Sequence, residues 1–241
     1  MKATFDAVGE VLIVTGGASG IGAAIAESFA SAGGQVVTLD ITEPSTTSAG
    51  VHHITCDVAN RDQVFAAVAD VLDRHGRIDG LVTAAAVQPR MPVVDTDPDM
   101  WRHVIDVNLN GVVWACQAVL PTMTKAGRGS IVVFGSGLGV NGRAEASSYA
   151  ATKGAMVSFA KSLAAETVRD GVRVNVLFPG VIDTDQFQRA NPPGSEREFW
   201  ERTIGIGQPE DVVGPLMFLL SDAGSMTGSV LSRDRAFGVQ T

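Results

Sequence analysis

Thr15-Gly16-Gly17-Ala18-Ser19-Gly20-Ile21-Gly22 follows the apolar run Val11-Leu12-Ile13-Val14 and opens a stretch, Ile21 to Ala32, with helical apolar spacing. A buried strand therefore turns on glycine directly into a helix. Gly16 allows the tight turn, Gly20 lets the backbone approach a pyrophosphate, and Gly22 lets the helix pack close to the sheet. The helix N-terminus adds unpaired N–H groups and the positive end of the dipole. A P-loop would place Lys and then Ser or Thr here, but Ala23-Ala24 follow Gly22. By themselves the glycines also fit a helix entry built small for packing. Asp40 adds the second signal. It closes the next apolar run, Gln35 to Asp40, 18 residues after Gly22. A carboxylate there accepts the ribose hydroxyls of NAD and repels the extra phosphate of NADP. The plainer reading of Asp40 is a turn aspartate. Neither the glycine loop nor the neighbourhood of Asp40 carries a Lys or Arg. Together the two features point to a dinucleotide site that takes NAD.

Outward from this unit the alternation repeats. Strands are expected at His53–Val58, Ile78–Ala85, Ser130–Phe134, Val172–Phe178 and Ser229–Ser232. Helices are expected over Arg61–Arg74, from Asp97-Pro98 toward Pro121, over Ser147–Arg169 and over Pro209–Ser221. Continuous apolar strands alternating with helices predict an α/β fold, a Rossmann-type doubly wound parallel sheet with helices on both faces. No linker or repeat divides residues 1–241, so a single domain is expected. Residues 183–206 differ. They are polar, contain Asn191-Pro192-Pro193-Gly194, and read as an excursion with one small amphipathic helix over the substrate. Phe187, Phe199 and Trp200 in it fit either a lid over an apolar ligand or plain packing.

Composition removes other classes. The net charge of −8 argues against a phosphate-backbone partner and against an anionic membrane surface. No unbroken apolar run approaches the ~18 residues of a membrane span, and the N-terminal apolar stretch is too short for a signal-peptide core. Cys56 and Cys116 form no C-x-x-C pair, and His52, His53, His75 and His103 lack ligand spacing, so no metal is expected. Reduced, buried thiols suit a cytoplasmic protein. Glycine makes up 27 of 241 residues, roughly 11 % against about 7 % in average proteins. There is one tyrosine, Tyr149, among ten Phe and three Trp.

That tyrosine begins Tyr149-Ala150-Ala151-Thr152-Lys153, which puts phenol and ammonium on one helix face. A nearby cation lowers the pKa of a phenol from about 10, which predicts a phenol tuned for acid–base work on a carbinol oxygen. A Tyr–Lys pair one turn apart is also a common surface arrangement. Ser136 lies at the end of the fifth strand, where open α/β sheets place ligands. Between Gly135 and Gly137 it also reads as a turn residue.

This set resembles the short-chain dehydrogenase/reductases, the single-domain branch. The resemblance runs from Val11 to about Leu231 and takes in the glycine loop, Asp57-Val58, Asn108 in Val107-Asn108-Leu109-Asn110-Gly111, Ser136, Tyr149 with Lys153, Pro179-Gly180 with Thr184, and Gly207-Gln208-Pro209-Glu210-Asp211. It implies that Tyr149 is the general acid/base and Ser136 binds the substrate oxygen. Lys153 would bind the nicotinamide ribose, and Asn108 a water that links Lys153 to solvent. Asp57 and Val58 would hold the adenine and Thr184 the carboxamide. Ser19, Ile21, Ala84, Pro179 and Gly180 complete the implied cofactor contacts. A homotetramer follows by the same resemblance, with the helices of Trp101–Leu120 and Ser147–Arg169 at its interfaces.

Two stretches depart from the family. Thr83-Ala84-Ala85-Ala86 stands where Asn-Asn-Ala-Gly is usual, and Ser232-Arg233-Asp234-Arg235 where Val-Asp-Gly-Gly is usual. The expected activity is NAD(H)-dependent interconversion of a secondary alcohol and a ketone. A 3-oxoacyl-thioester reductase and a cyclic diol or sugar dehydrogenase are alternatives, and a non-catalytic dinucleotide sensor is a third. A serine hydrolase is excluded, because Ser136 lacks the G-x-S-x-G frame and no His follows His103.

Overall fold

Seven strands form one sheet in the order β3-β2-β1-β4-β5-β6-β7, and every neighbouring pair is parallel. They are β1 Val11–Thr15, β2 Gln35–Asp40, β3 Val51–Thr55, β4 Gly80–Thr83, β5 Gly129–Phe134, β6 Val172–Phe178 and β7 Val230–Ser232. The helices are α1 Gly20–Ser31, α2 Arg61–His75, α3 Pro98–Ile105, α4 Gly111–Ala126, α5 Leu138–Asn141, α6 Ser147–Thr167, α7 Asp185–Ala190, α8 Arg197–Thr203 and α9 Glu210–Leu220. This computed structural model describes residues 3–46, 48–192, 197–203 and 205–233. Among them the expected doubly wound sheet is present as one domain.

Alternate residues of one strand feed opposite layers, because successive side chains point to opposite faces. Leu12 and Val14 of β1 pack with Ile25 and Phe29 of α1 and Leu216 of α9. Val11 and Ile13 pack on the other side with Val64 and Val68 of α2, Val119 of α4 and Met156 of α6. All five residues of β1 are buried, which explains the unbroken apolar run in its sequence.

Several boundaries differ from expectation. The third strand is Val51–Thr55, not His53–Val58. It is an edge strand whose His52 and Thr55 are exposed, so its apolar signal is weaker than that of the Cys56-Asp57-Val58 loop beyond it. The fourth strand is shorter than Ile78–Ala85, since pairing ends at Thr83. The helix from Pro98 is broken by a π segment, Asp106–Asn110, and runs past Pro121 to Ala126. Gly127, at φ 67°, is the true stop. The excursion holds two helices, α7 and α8, with residues 193–196 and 204 outside the described ones. The rod from Pro98 to Ala126 is long and apolar enough to cross a membrane, although no unbroken apolar run in it approaches the ~18 residues of a span. Val104, Val112, Ala115, Val119 and Met123 of this rod are nonetheless buried within the fold.

The glycine turn is held by contact. A Cβ on Gly22 would lie 2.0 Å from the Gly16 carbonyl oxygen. Gly22→Ala is therefore expected to lower stability by about 1–3 kcal/mol through overpacking. Urea unfolding of the variant checks the sign and size of the loss.

Candidate active site

In an open parallel sheet the crevice opens where strand order reverses, here between β1 and β4. A cleft of about 410 Å³ lies there, walled by the carboxyl ends of the strands and the loops that follow them. The β1–α1 turn contributes Gly16, Ser19, Gly20, Ile21 and Gly22. The end of β2 contributes Asp40, the loop after β3 Asp57 and Val58, and the loop after β4 Ala84. Tyr149 and Lys153 enter from α6, and Pro179 and Thr184 close the far side. Gly180, at φ 78°, makes the turn behind Pro179 rather than the wall.

The glycine turn is shaped as a cradle. Gly16 has φ 68°, and a Cβ on it would meet the Ala85 nitrogen at 2.5 Å. Gly20 has φ 55°, and a Cβ there would stand 3.1 Å from Cγ2 of Thr184. Ser19 caps α1 with extended backbone and makes no side-chain cap bond, and no acid stands in the first turn. The leading N–H groups of α1 thus remain available to an anion at the cleft. These donors and this lack of side chains fit a dinucleotide pyrophosphate.

Asp40 does two things. Its Oδ2 accepts the Ala18 N–H at 3.0 Å, and its Oδ1 accepts the Thr42 N–H at 3.1 Å and the Thr42 hydroxyl at 3.0 Å. It therefore fastens the glycine turn to β2 while its carboxylate lines the cleft. Asp57 is fixed in turn: its Oδ1 accepts the Ala59 N–H at 2.9 Å, and its own N–H donates to Oε1 of Gln63 at 2.8 Å.

Tyr149 and Lys153 share a face of α6, with Nζ 5.7 Å from the ring centroid. Tyr149 is 8 % exposed and Lys153 4 %. The Lys153 ammonium donates to the Phe134 carbonyl at 3.0 Å, which ties α6 to the end of β5. The expected lowering of the phenol pKa is overturned in the ligand-free protein. Burial pushes Tyr149 up to about 12, opposed only by a hydrogen bond with Ser136. The same burial pushes Lys153 down to about 8. Desolvation disfavours both charged forms, and at this depth it exceeds the pull of one upon the other.

Asn108 is fully buried in the π segment. Its Oδ1 accepts the Val87 N–H at 2.8 Å, and its Nδ2 donates to the Val87 carbonyl at 2.8 Å and to Oγ1 of Thr152 at 3.3 Å. The side chain thus binds the loop after β4 to α6. This supplies bracing where Thr83–Ala86 lack side-chain amides. Thr15 supplies the rest: its carbonyl accepts the Ala84 N–H at 2.9 Å and its hydroxyl accepts the Ala85 N–H at 3.4 Å. The Thr83 hydroxyl is buried without a partner among the described residues. At the other departure, Arg233 pairs with Asp211 at 2.8 Å and donates to the Pro179 carbonyl at 3.4 Å, bracing the wall beside Thr184. Residues 234–241 lie outside the described residues.

The cleft also takes in Thr42, Cys56, His103, Gln186 and Arg189, which sequence reasoning did not single out. Thr42 had a readable signal, two residues past Asp40. The others reach the cleft only through the fold.

A family model described as short chain dehydrogenase matches residues 10–194. The chain belongs to the short-chain dehydrogenase family. It is 34 % identical over 237 residues to a 3-oxoacyl-[acyl-carrier-protein] reductase of Thermotoga maritima, covering 94 % of this chain and 96 % of that one. It is 35 % identical over 240 residues to a cis-4-hydroxycyclohexanecarboxylate dehydrogenase of Sinomonas cyclohexanicum, covering 94 % and 96 %. Among solved structures, a gluconate 5-dehydrogenase of Burkholderia cenocepacia in complex with NADP and tartrate superposes with TM-score 0.91 at 32 % identity, covering 98 % of each chain. As a member of this family the protein is an oxidoreductase that binds a nicotinamide dinucleotide.

Because Tyr149 is the only tyrosine, phenolate absorbance reports on it alone. The ligand-free protein is expected to show no phenolate transition below pH 10, and ionisation near 12. Lys153 gives a second readout. Below about pH 8 folded and unfolded chains both hold its proton, and the buried ammonium destabilises the fold in full. Between about 8 and 10.5 only the unfolded chain stays protonated, so stability rises with pH. The stability advantage of Lys153→Met over the wild type is therefore expected to be greatest below pH 8 and to shrink toward pH 10.5, as followed by urea unfolding.

Proposed function

We propose that the protein interconverts a secondary alcohol and a ketone with NAD(H), and that Tyr149 is its general acid/base. The observation that carries this reading is a single tyrosine, buried at the cleft on the same helix face as Lys153, with Ser136 just past the end of β5. When bound, the nicotinamide accepts or supplies the hydride at the carbinol carbon. The chain does the rest. Ser136 holds the substrate oxygen, and Tyr149 passes a proton to or from it. In the reducing direction a phenol that keeps its proton at neutral pH is a ready donor. In the oxidising direction it must lose that proton, and the charge of Lys153 favours the phenolate so formed. Lys153 also binds the nicotinamide ribose. Both N–H groups of Asn108 Nδ2 are committed to Val87 and Thr152, so its main-chain carbonyl in the π segment is the group that holds the relay water.

The cofactor contacts follow the walls of the cleft. Gly16, Ser19, Gly20, Ile21 and Gly22 take the pyrophosphate, Asp57 and Val58 the adenine, and Ala84, Pro179, Gly180 and Thr184 the nicotinamide end. NAD is preferred because Asp40 stands where the extra phosphate of NADP would lie. Arg189 does line the cleft, but it comes from α7 rather than from β2 or the glycine turn. The complex of the gluconate 5-dehydrogenase with NADP makes the cofactor assay decisive. Reduction of a 3-oxoacyl thioester is the second reading, favoured by the Thermotoga maritima relative. The net charge of −8 counts against docking of an acidic carrier protein. A sensor without turnover has no use for the Ser136–Tyr149–Lys153 set. The same reading carries a cytoplasmic homotetramer with α3, α4 and α6 at its interfaces, which sedimentation equilibrium tests.

Formation of NADH from alcohols, diols, sugars and hydroxy acids, with NADP run in parallel, is the primary test. Turnover with NAD is expected, and Asp40→Ala is expected to narrow the preference over NADP. A wild-type preference for NADP would refute the role given to Asp40. Tyr149→Phe is expected to lose about 10³-fold in kcat while retaining NADH binding, a loss in the range of general acid–base catalysis. Retained turnover in that variant would end the mechanism, since no second tyrosine exists.

A further inference from the structure

Beside the cofactor cleft, two buried hydrogen-bond donors find no acceptor among the described residues: Nη1 of Arg90 and Nε1 of Trp200. Arg90 lies in the connection between β4 and α3, three residues past Val87, which lines the cleft. Three residues of chain span at most about 11 Å, so the Arg90 backbone lies within that reach of the Val87 wall. Trp200 comes from α8, in the excursion. Arg143 joins them. Its guanidinium carbon lies 5.0 Å from the Trp200 ring centroid. Burial chiefly, and then the charge of Arg90, pull its pKa down, with Glu145 opposing.

Glu145 is the nearest acid, and it serves Arg90 poorly. Its Oε2 is 3.6 Å from Nη2 of Arg90, beyond hydrogen-bonding reach, and its side chain is half exposed, against 21 % exposure for Arg90. Glu145 is also the one non-glycine residue with positive φ among the described residues, at 63°. Its carbonyl accepts the Met91 N–H at 2.8 Å, which holds the Arg90 segment against the loop that leads into α6 and Tyr149. Such strain in a non-glycine residue is characteristic of ligand clamps. A buried donor without a partner destabilises the free protein, and a ligand that supplies the acceptor removes that penalty.

We propose that this cluster is a substrate subsite for a carboxylate, so that the alcohol oxidised or ketone reduced carries a carboxylate group: a hydroxy acid or keto acid. It rests on reading the neighbouring cleft as a dehydrogenase site. The chemistry selects a carboxylate in two ways. Both orphans are donors, so the ligand group must be an acceptor, and a planar guanidinium fork matches a planar carboxylate. Glu145 beside the same guanidinium repels a dianion, which disfavours a phosphate ester.

Calorimetric titration of the protein with NADH present tests the subsite without turnover. The probes are cyclohexanecarboxylate, cyclohexanecarboxamide and cyclohexyl phosphate. The carboxylate is expected to bind at least tenfold tighter than the carboxamide. Arg90→Met is expected to abolish that preference, and Arg90→Lys to retain part of it. Trp200→Phe, which keeps a ring under Arg143 but removes the N–H donor, is expected to weaken carboxylate binding severalfold. Should Arg90→Met fail to fold, the wild type alone decides: added salt must weaken binding of the carboxylate and leave the carboxamide unchanged. Equal affinities for carboxylate and carboxamide, an unchanged preference in Arg90→Met, or tightest binding of the phosphate would overturn the proposal. Turnover of neutral alcohols with no carboxylate preference defeats the subsite alone. Carboxylate binding without turnover of any alcohol defeats the dehydrogenase reading and leaves the anion subsite standing.

Discussion

Every strand of the sheet runs the same way, so all seven leave their carboxyl ends on one side. Among the described residues every connection between successive strands except β2–β3 runs through helices packed across the faces, and those helices bury both faces. Polar chemistry is thereby driven to one place. The glycine turn, Asp40, Asp57, Ala84, Ser136 and Pro179 are far apart in sequence, yet each follows the end of a strand. The closest constraint is the turn after β1. A side chain on Gly16 would strike the backbone of Ala85, and one on Gly22 would strike Gly16 itself. The same absence of side chains that lets the turn close also opens the cradle for a pyrophosphate.

Burial and charge compete at α6, and burial prevails in the ligand-free protein. Lys153 spends its ammonium on the Phe134 carbonyl at 3.0 Å, a contact that fixes helix to sheet. An ammonium so placed is a structural strut as well as a charge. The phenol beside it keeps its proton until its surroundings change. The pair is better described as two suppressed charges than as a cation stabilising an anion.

The sheet, the glycine turn and the Tyr149–Lys153 spacing were legible because each is a local pattern: an apolar run, a glycine at a turn, a one-turn interval. What could not be read depends on the fold. The edge strand Val51–Thr55 is half exposed and carries only a weak apolar signal, from Val51 and Ile54. The π segment leaves no mark in Asp106–Asn110, and Pro121 sits inside a helix whose real stop is Gly127. The sign of the Tyr149 shift was misjudged because proximity of a cation is visible at four-residue spacing, whereas depth is not. Thr83–Ala86 lack the amides usual in the family, yet Asn108 and Thr15, 25 residues downstream and 68 upstream of Thr83, brace the stretch through bonds to Val87, Ala84 and Ala85.

The scaffold and the substrate loops answer to different requirements. The frame superposes on the gluconate 5-dehydrogenase at TM-score 0.91 with only 32 % identity. The overall backbone path is thus shared while most side chains differ. The loops after β4 and β5 and the excursion around α7 and α8 line the cleft at one end and extend beyond it, and loops of this kind vary more than the sheet that carries them. Arg90, Arg143 and Trp200 come one from each of these three segments. No window of sequence shorter than about a hundred residues contains all three. Their meeting is a property of the closed sheet, which brings the three loops to the same side. Of the three residues, Arg90 and Trp200 hold buried donors without an acceptor among the described residues, and such donors cost stability in the free protein unless another molecule completes them.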